Sequence, residues 1–182
     1  MQPNAVQTTA EDVLSFWREA GPARWFAKDE AFDAHFRDRF QAAHVAAARR
    51  ELDSWAATAT GSLALLILLD QFPRNSYRGS AHMYATDGLA RHFARRALDA
   101  GHDAQVEAAL RSFCYLPFMH SEDAADQDLS LRLQQQLGAN EYAVSHRDII
   151  RRFGRFPHRN HLLGRETTAE ETAFLQEGGF SG

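Results

Sequence analysis

The sequence is poor in cysteine, lysine and proline, with one, one and five of them, and it lacks long apolar runs. A lone cysteine, Cys114, excludes an intramolecular disulfide and any zinc site built on several cysteines. The longest apolar run, Leu63–Leu69, covers seven residues, whereas a helix that crosses a bilayer needs about 20. Met1 to Thr9 carry neither a positive charge nor an apolar stretch, so they do not read as a secretory signal, and a cytoplasmic location is expected. Strand-type alternation of apolar and polar residues is nearly absent. An excess of positive charge is absent too. Twenty basic residues against 24 acidic ones give a net charge of −4, which excludes a generally basic nucleic-acid binder but not a local basic patch.

What is present has helical periodicity. A chain of 182 residues is one ordinary domain and buries roughly 70% of its unfolded surface, enough for a core without disulfides. Thr9 and Asp12 form a capping pair ahead of Val13, Leu14, Phe16 and Trp17, and Gly21-Pro22 stops that helix. Phe32, Phe36, Phe40, Ala43 and Ala47 make one apolar stripe on a helix over 29–52. Further helices are expected over 62–71, 80–100 (broken near Asp87-Gly88) and 104–115. Others follow over 121–137, with Leu129, Leu133 and Leu137 at i+4 spacing and Asp126, three residues before Leu129, facing inward with them, and 140–153, with Val144, Ile149, Ile150 and Phe153 inward. Thr168 and Glu171 make a capping box for a last helix to about 177. The expected organisation is a disordered N-terminus over 1–8, a single all-α domain over 9–178 and a disordered C-terminus over 179–182. The architecture expected is an array of about eight helices whose short connections favour antiparallel neighbours.

Phe72-Pro73, Leu116-Pro117 and Phe156-Pro157 read as elbows that each end a helix, because proline removes a donor and clashes with the preceding turn. They lie 44 and 40 residues apart, with about two helices between them, which is the period of an antiparallel helix-pair superhelix with its elbows on one edge. The residues around them are polar. The first run is Asp70-Gln71-Phe72-Pro73-Arg74-Asn75 with Arg78, and the second is His120-Ser121-Glu122-Asp123 with Asp126. The third holds His146-Arg147-Asp148 and then Arg152-Phe153-Gly154-Arg155-Phe156-Pro157-His158-Arg159-Asn160-His161. These segments resemble the signature stretches of a bacterial family known as domain of unknown function 924, over about Val13 to Leu175. The resemblance implies an all-α, tetratricopeptide-repeat-like fold and no particular activity. Thr58-Ala59-Thr60-Gly61 lacks a proline that the resemblance leads one to expect there.

Three functions suit these residues. The first is binding of a small anionic molecule or acidic peptide by Arg74, Asn75, Arg78, Arg152, Arg155, Arg159 and Asn160, with Asp70, Glu122 and Asp126 orienting the guanidiniums. The second is an enzyme that uses His120, Glu122, His146 or His158 as acid or base, with or without a metal, although no fixed-spacing zinc motif occurs. The third is an interaction scaffold, whose site would be an exposed apolar groove. In that case the carboxylates Asp70, Glu122 and Asp126 tie helices together by pairing with Arg74, Arg152 or Arg155. No phosphate-binding glycine loop or nucleophile elbow occurs, the residues leave any cofactor open, and neither nucleic acid nor membrane is an expected partner. Cys114 sits in an apolar run and reads as a buried, inert thiol. Of the 19 arginines, six fall between Arg147 and Arg165.

Overall fold

A computed structural model of the chain describes residues 8–138 and 141–182; the disorder expected of residues 1–7 and the helix start expected at Asn140 lie outside the described residues. Among the described residues the fold is all-α, with helices and 3-10 turns and no strand. Two compact units emerge: the chain up to Arg78 with His82–Pro117, and Gly79–Ala81 with Phe118–Gly182.

In the first unit α1 (Ala10–Ala20) starts on Thr9, whose side chain accepts from the Asp12 N–H while Asp12 returns a bond to the Thr9 backbone. This is the expected capping box, and Gly21 at φ 68° ends the helix. After α2 (Pro22–Trp25), Asp29 caps α3 (Glu30–Ala48) through the Ala31 and Phe32 N–H groups. Helix α3 ends before the expected residue 52. Arg50 takes φ 66°, the Glu51 N–H bonds the Ala46 carbonyl and the Arg50 N–H bonds that of Ala47, a left-handed cap that turns the chain out of the helix. Phe32, Phe36 and Phe40 are buried as expected, and Phe36 stacks on Phe16 of α1 at 5.2 Å.

Helix α4 (Ala59–Leu66) starts from the Thr58 cap and packs against the 3-10 turn Asp53–Ala57. The approach is so close that a β-carbon on Gly61 would stand 2.0 Å from the Trp55 carbonyl oxygen. The run does not end at Phe72-Pro73. It passes through a π-helical segment, Ile67–Gln71, into α5 (Phe72–Ser76). Pro73 has no N–H for the Leu69 carbonyl, and its ring would press on that carbonyl in an α-helix. The wider π turn accommodates it, with the Phe72 N–H reaching back to Ile67. Helix α6 (Asp87–Asp99) follows a 3-10 turn, Ala81–Tyr84, so the expected helix over 80–100 is confined to its second part. Over 104–115 the structure has 3-10 turns, Asp103–Gln105 and Arg111–Cys114, in place of a helix. Arg111 Nη2 donates to the Ala104 and Val106 carbonyls, and so stabilises the loop form. Pro117 begins rather than ends a helix: it lies in the first turn of α7 (Leu116–Met119), where a missing N–H costs no helical bond.

In the second unit α8 (Ala124–Gln136), capped by Asp123, packs against α9 (Glu141–Phe153). Its buried face is Asp126, Gln127, Ser130, Leu131 and Gln134, while Leu129, Leu133 and Leu137 are half-buried. Bonds near the helix start hold this polar face inward. Ser121 Oγ donates to Asp126 at 2.7 Å, and the Gln127 amide donates to the Met119 and Ser121 carbonyls. On α9, Ala143, His146, Ile149 and Ile150 are buried, and Val144 and Phe153 are half-buried. The 3-10 turn Pro157–Arg159 and α10 (Ala169–Gln176) complete the unit, and Thr168 and Glu171 form the expected capping box. Of the three proline elbows, Phe156-Pro157 alone lies beyond the end of a helix. Ile149, Ile150 and Phe156 form the core here, with Phe153, Phe174 and Phe180 packed against it.

Candidate functional site

The π segment fixes the geometry of the first signature stretch. An α-helix would use its carbonyls internally; here three in succession accept from side chains. His44 Nδ1 bonds the Leu68 oxygen at 2.8 Å, Thr86 Oγ1 donates to Leu69 at 2.5 Å and Arg74 Nη1 donates to Asp70 at 2.8 Å. The Leu69 carbonyl is the one Pro73 leaves without a helical donor, and Thr86 supplies it. His44 is buried, so burial lowers its pKa, with the neighbouring His82 adding to the effect. The Leu68 oxygen can only accept, so Nδ1 carries the hydrogen.

Around this segment the arginines are bound to carboxylates. Arg74 meets both oxygens of Asp87, at 2.9 and 3.1 Å, and Asp70 Oδ1 at 3.2 Å. Asp70 also accepts from the Gln71 amide at 2.6 Å. Burial works against the Arg74 charge, but Asp70 and Asp87 outweigh it and raise its pKa. Arg78 lays Nε and Nη2 across Asp33 at 2.6 and 3.3 Å, and Asn75 donates to the same carboxylate at 2.7 Å.

The second unit repeats the pattern. Glu122 accepts from Arg165 at 2.8 and 2.9 Å and from the Phe156 N–H at 2.9 Å, which joins the second and third signature stretches. Burial raises the Glu122 pKa, yet the Arg165 and Phe156 bonds outweigh it and hold it low. Arg155 grips Glu171 at 2.6 and 2.9 Å and donates to the Glu166 carbonyl. Asn160 and the Thr168 N–H bond the same Glu171. The Arg155 bond first, and the Thr168 bonds after it, outweigh burial and pull the Glu171 pKa down to about 2. Arg159 is buried with its guanidinium 4.4 Å from the Phe156 ring centre.

Arg152 differs. Its Nε donates to Glu170 at 2.9 Å, and the two side chains are 51% and 63% exposed. Asp70 thus pairs with Arg74 as expected, but Glu122 takes Arg165, while Arg155 and Arg152 take Glu171 and Glu170. Asp126 accepts from Ser121. Asp33, Asp87 and Glu171 were not legible as site residues. Asp33 sits inside the phenylalanine stripe of α3, Asp87 was part of a helix break, and Glu171 showed only its capping role.

The histidines sit against aromatic rings. His146 bonds the Tyr142 carbonyl through Nδ1 and lies 4.5 Å from Phe180; His158 lies 5.6 Å from Phe156 and 5.1 Å from Phe180. His120 is half-buried in the turn between α7 and α8. Among the described residues no group of three or more His, Cys, Asp or Glu could hold a metal ion. No helix among them is long and apolar enough to cross a membrane. Cys114 is buried, and burial pushes its thiol up to about 12.

An all-α chain in which Arg74, Arg78, Arg155 and Arg165 are tied into carboxylates of their own unit is the class these features define. The chain belongs to the family described as bacterial protein of unknown function (DUF924), whose model matches residues 13–179. Among solved structures it is similar to a protein of unknown function from Agrobacterium tumefaciens, at 60% identity over 93% of this chain and 97% of that one, with a TM-score of 0.91. No curated protein matches.

Proposed function

We propose that this chain is a helical interaction module in which Arg74, Arg78, Arg155 and Arg165 are frame and an apolar surface groove is the contact site. The observation that carries this reading is the pairing just described. Arg74, Arg78, Arg155 and Arg165 each span a carboxylate with two nitrogens. A guanidinium whose fork is filled by its own chain has to give up that partner before it takes another anion. Of the arginines proposed to bind a small anionic molecule with Asn75 and Asn160, this reading sets aside Arg74, Arg78 and Arg155, whose forks are filled. A cytoplasmic place of action is part of the proposal.

Thermal melting with and without millimolar phosphate or succinate tests it. The module reading predicts that Arg155→Ala melts lower than the parent chain and that neither anion stabilises one more than the other. A parent chain stabilised by either anion, with the stabilisation lost in an Arg155→Ala variant that melts normally, supports an anion receptor instead.

A further inference from the structure

Within the second unit a groove runs between α9 and the turn that follows α10, with Ile149, Phe153, Phe174 and Phe180 as its apolar walls. Gly179 lets that turn close down on Phe174, since a β-carbon there would stand 2.5 Å from the Phe174 carbonyl oxygen. On its rim stand Arg152 and Asp148, and Asp148 is partnered by Arg147 at 3.2 Å.

Resting on the module reading, we propose that this groove takes a peptide-like ligand carrying an apolar side chain beside a free carboxylate. Arg152 supplies the argument. Its guanidinium carbon lies 4.7 Å from the Phe153 ring centre and 5.8 Å from that of Phe174, so the aromatic walls hold it in place. Its hydrogen bond to the described residues runs through Nε, to Glu170. The fork of terminal N–H groups is left for a planar anion, and a carboxylate fits such a fork with two bonds. The Glu170 pair is solvent-exposed, so loosening it costs little. Arg155, just beyond the end of α9, is no substitute: Glu171 and the Glu166 carbonyl occupy both its Nε and Nη2. The apolar walls supply affinity and the guanidinium supplies orientation, a division common in small-ligand sites.

The test is an amide-resolved NMR titration of the full chain with N-acetylated Ala-Ala-Phe, as the free acid and as the C-terminal amide. The free acid should shift the Ile149, Gly178 and Gly179 amides, and the amide should bind about tenfold more weakly or worse. Arg152→Gln should make the two probes equal, while Glu170→Gln, which frees the guanidinium, should keep or strengthen binding of the acid. Both changes are at exposed side chains, and an unchanged spectrum elsewhere confirms the fold. Equal binding of acid and amide by the parent chain overturns the carboxylate assignment and leaves the module reading standing. An absence of shifts at the groove with both probes overturns the groove as contact site.

Discussion

Replacing Arg74 by methionine should expose how much the frame depends on one guanidinium. The side chain is 15% exposed and lies between Asp70 and Asp87, whose side chains are 2% and 10% exposed. Methionine keeps much of the stem packing but takes the Arg74 cation away from two buried carboxylates. Breaking a buried pair by removing one partner costs about 3–5 kcal/mol, mostly through the uncompensated charge left behind. For a chain of this length each kcal/mol moves the melting temperature by about 2–4 °C, so Arg74→Met should melt about 6–20 °C lower. Urea denaturation followed by far-ultraviolet circular dichroism gives the free energy directly, and an unchanged denaturant slope keeps the comparison valid. Adding Asp87→Asn to Arg74→Met should recover part of the loss, because it removes one of the two negative charges that Arg74 faced. A loss below about 1 kcal/mol, the scale of an exposed pair, would refute the reasoning and place Arg74 in solvent, free for another role.

Glu171 should govern the acid limb of stability. Its pKa falls to about 2 on folding, so the unfolded chain takes up its proton first; the stabilisation is complete above the ordinary carboxylate value and is lost as pH falls from there through about 2. Glu171→Gln should flatten that part of a stability–pH profile. His44 adds a second loss, because a histidine held neutral by burial stabilises fully above about 6.5 and less as pH falls below it; His44→Asn should remove this contribution. Cys114 should resist thiol reagents at mildly alkaline pH and react once denaturant is added, since its thiol is buried and pushed up to about 12. Gly61→Ala should cost about 3 kcal/mol in urea denaturation, since no rotamer relieves a β-carbon against the Trp55 carbonyl.

Local signals carried the fold where they had a single physical meaning. Thr9 with Asp12 and Thr168 with Glu171 marked helix starts, and Phe32, Phe36 and Phe40 marked a core face. Proline was ambiguous. At Pro73 a π turn carries the helix on, and at Pro117 a helix begins, because the cost of a missing N–H depends on where in a helix it falls. On α8 the inward position of Asp126 was legible from its spacing to Leu129, but the Ser121 turn anchors Asp126 and Gln127 so firmly that they take the buried face and leave the leucines half-buried. The polar stretches were visible as clusters of charge, yet their partners were not. Arg78 and Asp33 are 45 residues apart, and Arg165 and Glu122 are 43 apart. Nothing in either local sequence selects such a pairing; the packing of the helices does.

The most direct test of the frame is a double-mutant cycle on Arg155 and Glu171, measured by urea denaturation of the parent chain, Arg155→Ala, Glu171→Gln and the double variant. If Arg155 serves Glu171, as its two bonds at 2.6 and 2.9 Å indicate, the double variant should be little less stable than the Glu171→Gln single variant, far short of the summed losses. Additive losses would contradict the account and leave the Arg155 guanidinium with a task outside its own chain.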